Sequence, residues 1–222
     1  MGALVALDAA QANYLGNVLR LKAGDLVLLF NGTLGEWLAS IAEVGKKRMT
    51  LAVAEQTRQP EIIPDLWLAF APVKRAPVEW LVEKATELGV ARLVPVVTGR
   101  TVVERLRLDR LRSIAIEAAE QCGRTVLPEI AEPVALQAFL KENDRTLYFA
   151  DETAGAPAAT AFAPGPATIL IGPEGGFTPE ERTEIRSTPS TKAISLGPRI
   201  LRAETAALAT VTTYMALAGD WR

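Results

Sequence analysis

Ile171-Gly172-Pro173-Glu174-Gly175-Gly176-Phe177 is the stretch that decides the fold. It follows an apolar run, Thr168 to Ile171, that reads as a strand. A helix is expected directly after it. Thr178 is a good N-cap, Pro179 suits the first turn and Glu181 completes a capping box. Open α/β sheets bind ligands beyond the carboxyl ends of their strands, which is where such a turn sits. Three glycines let the backbone approach a ligand closely and offer it N–H and C=O groups. An ordinary tight turn is the plain alternative, but Glu174 set among three glycines and a proline favours a binding loop. Neither G-x-G-x-x-G nor the P-loop pattern occurs, so ATP or NAD has no motif support.

Downstream, Leu196-Gly197-Pro198-Arg199-Ile200-Leu201-Arg202-Ala203-Glu204-Thr205-Ala206 repeats the arrangement. It leaves a strand near Ala193 to Leu196 and enters an apolar helix, Ala203 to Ala218. Two arginines and a glutamate at such a corner are costly if buried unless paired, so an Arg202–Glu204 ion pair competes with a functional role. Upstream, strands are expected at Leu66 to Ala71, Leu93 to Val97 and Thr146 to Ala150. Val78, Leu81, Val82, Ala85 and Leu88 share one helical face, with Gly89 as the stop, and Leu108, Leu111, Ile114, Ala115 and Ala118 mark a second helix ending near Gly123. Alternating strand and helix predicts an α/β domain with a mostly parallel sheet over 63–222. The Ala-, Gly- and Pro-rich segment Ala154 to Pro166 reads as an exposed loop.

Residues 1–62 read differently. Asp8 can cap a short helix reaching Leu19, and strands are expected at Leu26 to Phe30, Glu36 to Val44 and Met49 to Ala54. Asn31-Gly32 is a hairpin signal because both residues tolerate positive φ. The unit predicted is a small barrel or half-barrel, joined to the rest by a linker at Gln59-Pro60-Glu61.

Composition narrows the chemistry. The chain has 222 residues, 49% hydrophobic, with one cysteine and no histidine. His-based triads, His metal ligands and a Cys/His zinc site are thereby excluded, and no metal is expected. A lone cysteine fits a reducing cytoplasm. No run is long enough to span a bilayer, and the start does not read as a signal peptide. A net charge of −2 argues mildly against nucleic acid. Local cationic clusters oppose that: Lys46, Lys47 and Arg48; Lys74 and Arg75; and the segment carrying Arg100, Arg105, Arg107, Arg110 and Arg112. For any one cluster, a solvated salt-bridged surface is the simpler reading. Arg124, after Glu120-Gln121-Cys122-Gly123 at a helix end, could meet a phosphate or water, and Cys122 reads as a small core residue.

Taken in order, Lys74, Val78-Glu79-Trp80, Lys84-Ala85-Thr86-Glu87-Leu88-Gly89-Val90, Glu120 to Arg124, Ile171 to Gly176 and Leu196 to Ala206 resemble the ribosomal RNA small subunit methyltransferase E family, of the SPOUT methyltransferases. The resemblance spans nearly the whole chain. It implies a PUA-like RNA-binding β-barrel over 1–62, then a SPOUT domain with a C-terminal trefoil knot and the S-adenosylmethionine site within about 146–222. It also implies a homodimer acting on ribosomal RNA or the small subunit, and methylation of N3 of a uridine in 16S ribosomal RNA. Donor contacts are expected from Ile171, Gly172, Pro173, Glu174, Gly175 and Gly176, and from Leu196, Gly197, Pro198, Ile200, Leu201 and Ala206. RNA contacts are expected from Arg20, Lys22, Lys74, Arg75, Lys84, Arg100 and Arg124. A SPOUT enzyme acting on another position, such as a ribose 2′-hydroxyl, and a non-catalytic assembly factor are the alternatives.

Uridine N3 must lose its proton before it can attack a methyl group, and the charge then spreads onto the flanking carbonyl oxygens. Arginine cannot serve as a base at ordinary pH, but Arg202 or Arg199 can stabilise that charge. Glu204 is a candidate base, weakened if an arginine pairs with it; solvent is the other.

Overall fold

The structure, a computed structural model, describes residues 2–45, 48–72, 75–102 and 105–221, without the side chains of Arg75 and Ala76. The expectations that fell on Lys46, Lys47 and Lys74, and on the Arg75 side chain, lie outside it. The chain divides into two compact units, Met1–Ile62 and Ile63–Arg222.

In the first unit, β1 (Leu4–Ala6), β2 (Leu26–Phe30), β3 (Glu36–Val44) and β4 (Met49–Arg58) form an antiparallel sheet in the order β1-β4-β3-β2. Ala39, Ile41, Met49 and Leu51 are buried against Ala12 of helix α1 (Ala9–Asn13), with Leu7, Leu15, Leu21, Val27 and Leu29 around them. Asp8 caps α1 as expected: its carboxylate accepts from Gln11 N at 2.8 Å and Gln11 returns the bond to Asp8 N. The expected single helix through Leu19 instead widens into a π-helical turn, Tyr14–Val18, closed by Leu19 N donating to Tyr14 O at 2.9 Å. Asn31-Gly32 opens a five-residue loop rather than a two-residue turn, since Phe30 pairs with Glu36. The cause is the Asn31 side chain, whose Oδ1 accepts from both Thr33 N and Leu34 N.

The second unit is a three-layer α/β/α domain. Its parallel sheet runs β10-β12-β9-β11-β5-β6-β7, with β8 also on β6. The strands are β5 (Leu66–Phe70), β6 (Arg92–Val97), β7 (Glu129–Ile130), β8 (Val134–Ala135), β9 (Thr146–Ala150), β10 (Ala156–Pro157), β11 (Ala167–Ile171) and β12 (Thr191–Ser195). The helices are α2 (Arg75–Glu87), α3 (Leu108–Cys122), α4 (Leu136–Glu142), α5 (Ala158–Ala161), α6 (Pro179–Ser187) and α7 (Ala203–Leu217).

Alternation along the strands builds both cores. Leu66, Leu68, Phe70, Ile169 and Ile171 join the core under α2, α3 and α7, whereas Ala69, Leu147, Phe149 and Leu170 join the core under α4 and α6. A side chain such as Leu68 or Ile169, wholly shielded here, stabilises the fold by about 2 kcal/mol relative to exposure. No helix among the described residues is long and apolar enough to cross a membrane.

Two sequence expectations need correction. Residues 154–166 are not simply an exposed loop: β10 pairs with β12, and the Phe162 ring packs edge-on against Tyr148 at 4.8 Å and Tyr214 at 5.4 Å. Their hydroxyls hold the segment down, Tyr148 Oη accepting from Ala163 N and Tyr214 Oη donating to Gly165 O. Composition missed this because the anchoring rings lie elsewhere in the sequence. Secondly, Cys122, read as a small core residue, is exposed at the end of α3. Helix α7 presents two faces. Ala203, Ala207, Thr210, Val211, Tyr214 and Met215 pack inward, while Thr205, Thr212, Ala216 and Leu217 are exposed.

Candidate active site

The carboxyl end of β9 lies between those of β11 and β12, its two neighbours in the sheet. The loops leaving these neighbours, 172–178 and 196–202, rise on either side of it. Between them is a cleft of about 500 Å³, floored by Ala150, Asp151 and Glu152. That volume lies within the range of small-molecule sites.

Local chemistry dictates the loop shapes. Thr178 caps α6 reciprocally: its Oγ1 accepts from Glu181 N at 3.2 Å, and Glu181 Oε2 accepts from Thr178 N at 2.8 Å. Gly172 is required by close approach, because a Cβ there would lie 2.7 Å from the Phe177 ring. Gly197 has φ +103° and would point a Cβ into open space, while its N–H donates to Ser195 Oγ at 3.3 Å. Ile200 is 87% exposed although it lines the cleft, an apolar surface without protein cover.

All twelve residues expected to contact a donor line this one cleft: Ile171 to Gly176, Leu196, Gly197, Pro198, Ile200, Leu201 and Ala206. Arg199 and Arg202 line it too, and both are exposed. Glu204 does not line it. Its Oε2 is buried with no hydrogen-bond partner among the described residues, and no Arg202–Glu204 ion pair forms among them. The competing ion-pair reading of this corner is therefore not realised.

The sequence did not single out Asp151, yet it is the most heavily bonded carboxylate at the cleft. Its side chain is fully shielded, and its oxygens accept from Thr153 N, Thr153 Oγ1, Arg182 Nη1 and Arg186 Nε. Burial pushes the Asp151 carboxyl up, but the bonds from Thr153 and Arg186 outweigh it and hold the group below the usual aspartate range. An acidic residue just after an apolar strand, with two arginines spaced four apart on a later helix, was the available signal.

The expected RNA contacts disperse. Arg20, with φ +60°, and Lys22 are exposed in the first unit. In the second unit Lys84 is paired with Glu83 and Glu87. Arg124 is corrected outright: it is 6% exposed, and its guanidinium donates to Thr86 O at 2.5 Å and Val90 O at 3.2 Å, at the end of α2. The helix leaves its last carbonyls without intrahelical partners, and Arg124 supplies donors to them. Arg100, expected on RNA, donates to Gly175 O at 2.5 Å. No group of His, Cys, Asp and Glu among the described residues is arranged to hold a metal.

Comparison with known proteins agrees with this geometry. Residues 37–215 match the RNA methyltransferase domain family, and residues 7–53 match the RNA methyltransferase PUA domain. The chain is 36% identical over 204 residues to ribosomal RNA small subunit methyltransferase E of Rickettsia conorii, an overlap of 90% of this chain and 84% of that protein. It is similar in structure to a putative methyltransferase from Legionella pneumophila in complex with the cofactor SAM, with TM-score 0.90, 33% identity and coverage of 99% and 94% of the two chains. It is similar also to ribosomal RNA small subunit methyltransferase E from Neisseria gonorrhoeae bound to S-adenosylmethionine, with TM-score 0.91, 27% identity and coverage of 100% and 94%.

Proposed function

The chain belongs to the RNA methyltransferase domain family, and on that premise we propose that it uses S-adenosylmethionine to methylate N3 of one uridine in 16S ribosomal RNA. The observation that carries the proposal is the convergence of both strand-end loops on one cleft over β9.

The residues present fit the donor. Ile171, Leu196, Ile200 and Leu201 give apolar walls for a flat ring, and the exposed backbone of the 196–198 turn gives carbonyl groups for its edges. Glu174, exposed on the glycine loop, puts negative charge at the rim, suited to a ligand that carries a sulfonium and an ammonium, whereas Glu152 on the floor is already paired with Arg182. When bound, S-adenosylmethionine supplies an electrophilic methyl group for in-line displacement.

The chain's own task is then alignment and charge control. Arg202 stands at the N-cap of α7, exposed and lining the cleft, and its guanidinium is in no ion pair among the described residues, so it is available to the cleft. There it, or Arg199, meets the uracil carbonyl oxygens as N3 loses its proton. Glu204, two residues beyond Arg202, has a buried Oε2 without a partner among the described residues but does not line the cleft, so it accepts that proton only if substrate binding turns its side chain toward N3; solvent is the other acceptor. Because N3 is on the Watson–Crick edge, the target base is bound unpaired.

Further parts of the reading follow from the same family. The unit 1–62 is PUA-like and grips RNA, with Arg20 and Lys22 among its exposed cations. The SPOUT domain occupies 63–222, and its knot lies within 146–222, where β11 adds on one side of β9 and β12 returns on the other. The protein works in the cytoplasm as a homodimer, and the exposed Thr212, Ala216 and Leu217 face of α7 supplies surface for the partner copy.

Nucleoside mass spectrometry of 16S ribosomal RNA from a strain lacking the gene tests the proposal. The expected result is loss of one N3-methyluridine and its return on complementation. Unchanged N3-methyluridine with loss of a ribose-methylated nucleoside would assign the chemistry to the sugar instead.

A further inference from the structure

We propose that Arg100 is a positioning residue of the donor site, fixing the Gly175–Gly176 peptide in the orientation the cleft requires. The inference rests on the donor-site reading above and concerns a residue outside the cleft lining.

Arg100 follows β6, seventy-five residues before Gly175 in the chain, yet its Nη1 donates to Gly175 O at 2.5 Å. Its aliphatic stem covers the glycine as well, since a Cβ on Gly175 would sit 3.4 Å from Arg100 Cδ. On the far side of the same peptide, Gly176 N donates to Pro173 O at 2.8 Å. The peptide between two glycines rotates more freely than any other, because neither flanking residue has a Cβ to restrict it. Here its C=O is held by Arg100 and its N–H by Pro173, so one plane orientation is selected.

The turn that carries Arg100 is itself anchored. Thr98 N donates to Thr101 Oγ1 at 2.9 Å, and Thr101 N donates to Thr98 O at 3.1 Å. Gly99 N donates to Glu181 Oε1 at 2.6 Å, while the other oxygen of that carboxylate completes the α6 cap on Thr178. One carboxylate thus ties the 98–101 turn to the helix that the glycine loop feeds, and Arg100 ties the same turn to the loop. A cation meant only for RNA phosphate needs neither bond.

The two roles separate experimentally. Arg100→Ala and Arg100→Lys are titrated with S-adenosylmethionine by calorimetry, and RNA binding by each is followed across a salt series. Loss of a charge-assisted hydrogen bond that orders the loop is expected to weaken donor binding about tenfold in Arg100→Ala. Arg100→Lys recovers part of that, because its ammonium can reach one carbonyl without the planar fork. The donor KM rises while the RNA KM and the salt slope stay at the wild-type values. Undiminished donor affinity in Arg100→Ala overturns the inference, and a salt slope reduced by about one makes Arg100 a phosphate contact instead. Absence of donor binding in the wild-type protein overturns both this inference and the donor-site reading, whereas normal binding by wild type and variant alike overturns this inference alone.

Discussion

Asp151 and Arg186 are joined across the floor of the cleft, with Nε of the guanidinium 2.9 Å from a carboxylate oxygen that no solvent reaches. Arg182 Nη1 takes the other oxygen at 2.8 Å, so a single carboxylate at the end of β9 binds two successive turns of α6. The glycine loop runs from β11 into α6, so the network sets where α6 and the end of that loop sit relative to the cleft floor at β9.

Removing that charge while keeping the shape should be costly. Asp151→Asn leaves two guanidinium groups facing a neutral amide and is expected to destabilise the protein by about 3 kcal/mol at neutral pH. The Asp151 carboxyl is held below its ordinary range, so the stabilisation is present above the unfolded-state value, near pH 4, and disappears as pH falls through the folded-state value. Thermal melts of both proteins should differ by a constant amount from about pH 6 to pH 8, begin to approach each other near pH 4 and meet only below the folded-state value. A gap that persists in acid would mean the amide is disruptive for another reason, such as sterics.

Arg124 separates a structural cation from an RNA contact. It is buried and bonded to carbonyls of Thr86 and Val90. Arg124→Ala should lower the denaturant midpoint by an amount equivalent to about 2 kcal/mol, because it strips donors from buried acceptors. Its effect on the salt slope of RNA binding should be nil. A slope that drops by about one, with the midpoint unmoved, would restore Arg124 to the RNA surface.

The parallel sheet and its loops were legible because the apolar runs, the capping box at Thr178 and the glycine clusters are local signals. What stayed hidden depended on partners far away in sequence. Nothing near Ala154 to Pro166 announces that Phe162 will be gripped by Tyr148 and Tyr214. Nothing near Arg124 announces that α2 will end beside it. Charged residues were the least legible class: an arginine carries the same sequence signal whether it meets phosphate, a helix end as Arg124 does, or a loop carbonyl as Arg100 does. The short strands β7, β8 and β10 were missed since two residues cannot display a period.

Self-association is testable on α7. Ala216 is exposed on the helix face opposite the buried Val211, Tyr214 and Met215 stripe. If that face meets a second copy, Ala216→Arg places an unpaired charge in the interface and should shift the protein from dimer to monomer by light scattering. The wild-type dimer should weigh twice the 23.8 kDa chain. An Ala216→Arg protein that remains fully dimeric would move the interface elsewhere, and a monomeric wild type would remove the dimer from the proposal.

The sharpest expectation concerns Arg202 and Glu204, which stand at the start of α7 without bonding each other. Arg202 faces the cleft, and its interaction with a uracil oxygen strengthens only as N3 gives up its proton. Arg202→Ala should therefore reduce single-turnover methylation about 100-fold or more while changing donor affinity by no more than about threefold. Arg202→Lys should recover only part of the rate, because an ammonium cannot reproduce the fork. Glu204 makes the complementary case. A buried carboxylate oxygen without a partner is a strain on the folded state, and Glu204→Gln removes the charge while keeping the volume. If the carboxylate is retained to accept the N3 proton, Glu204→Gln should fold at least as stably as the wild type yet lose most of its turnover, with donor affinity intact. That pairing of undiminished melting temperature with lost rate is the signature of a group kept for chemistry. Normal turnover in Glu204→Gln would pass the proton to solvent and leave Arg202 as the chain's main contribution to the step. Normal turnover in Arg202→Ala would remove the charge-stabilisation argument itself.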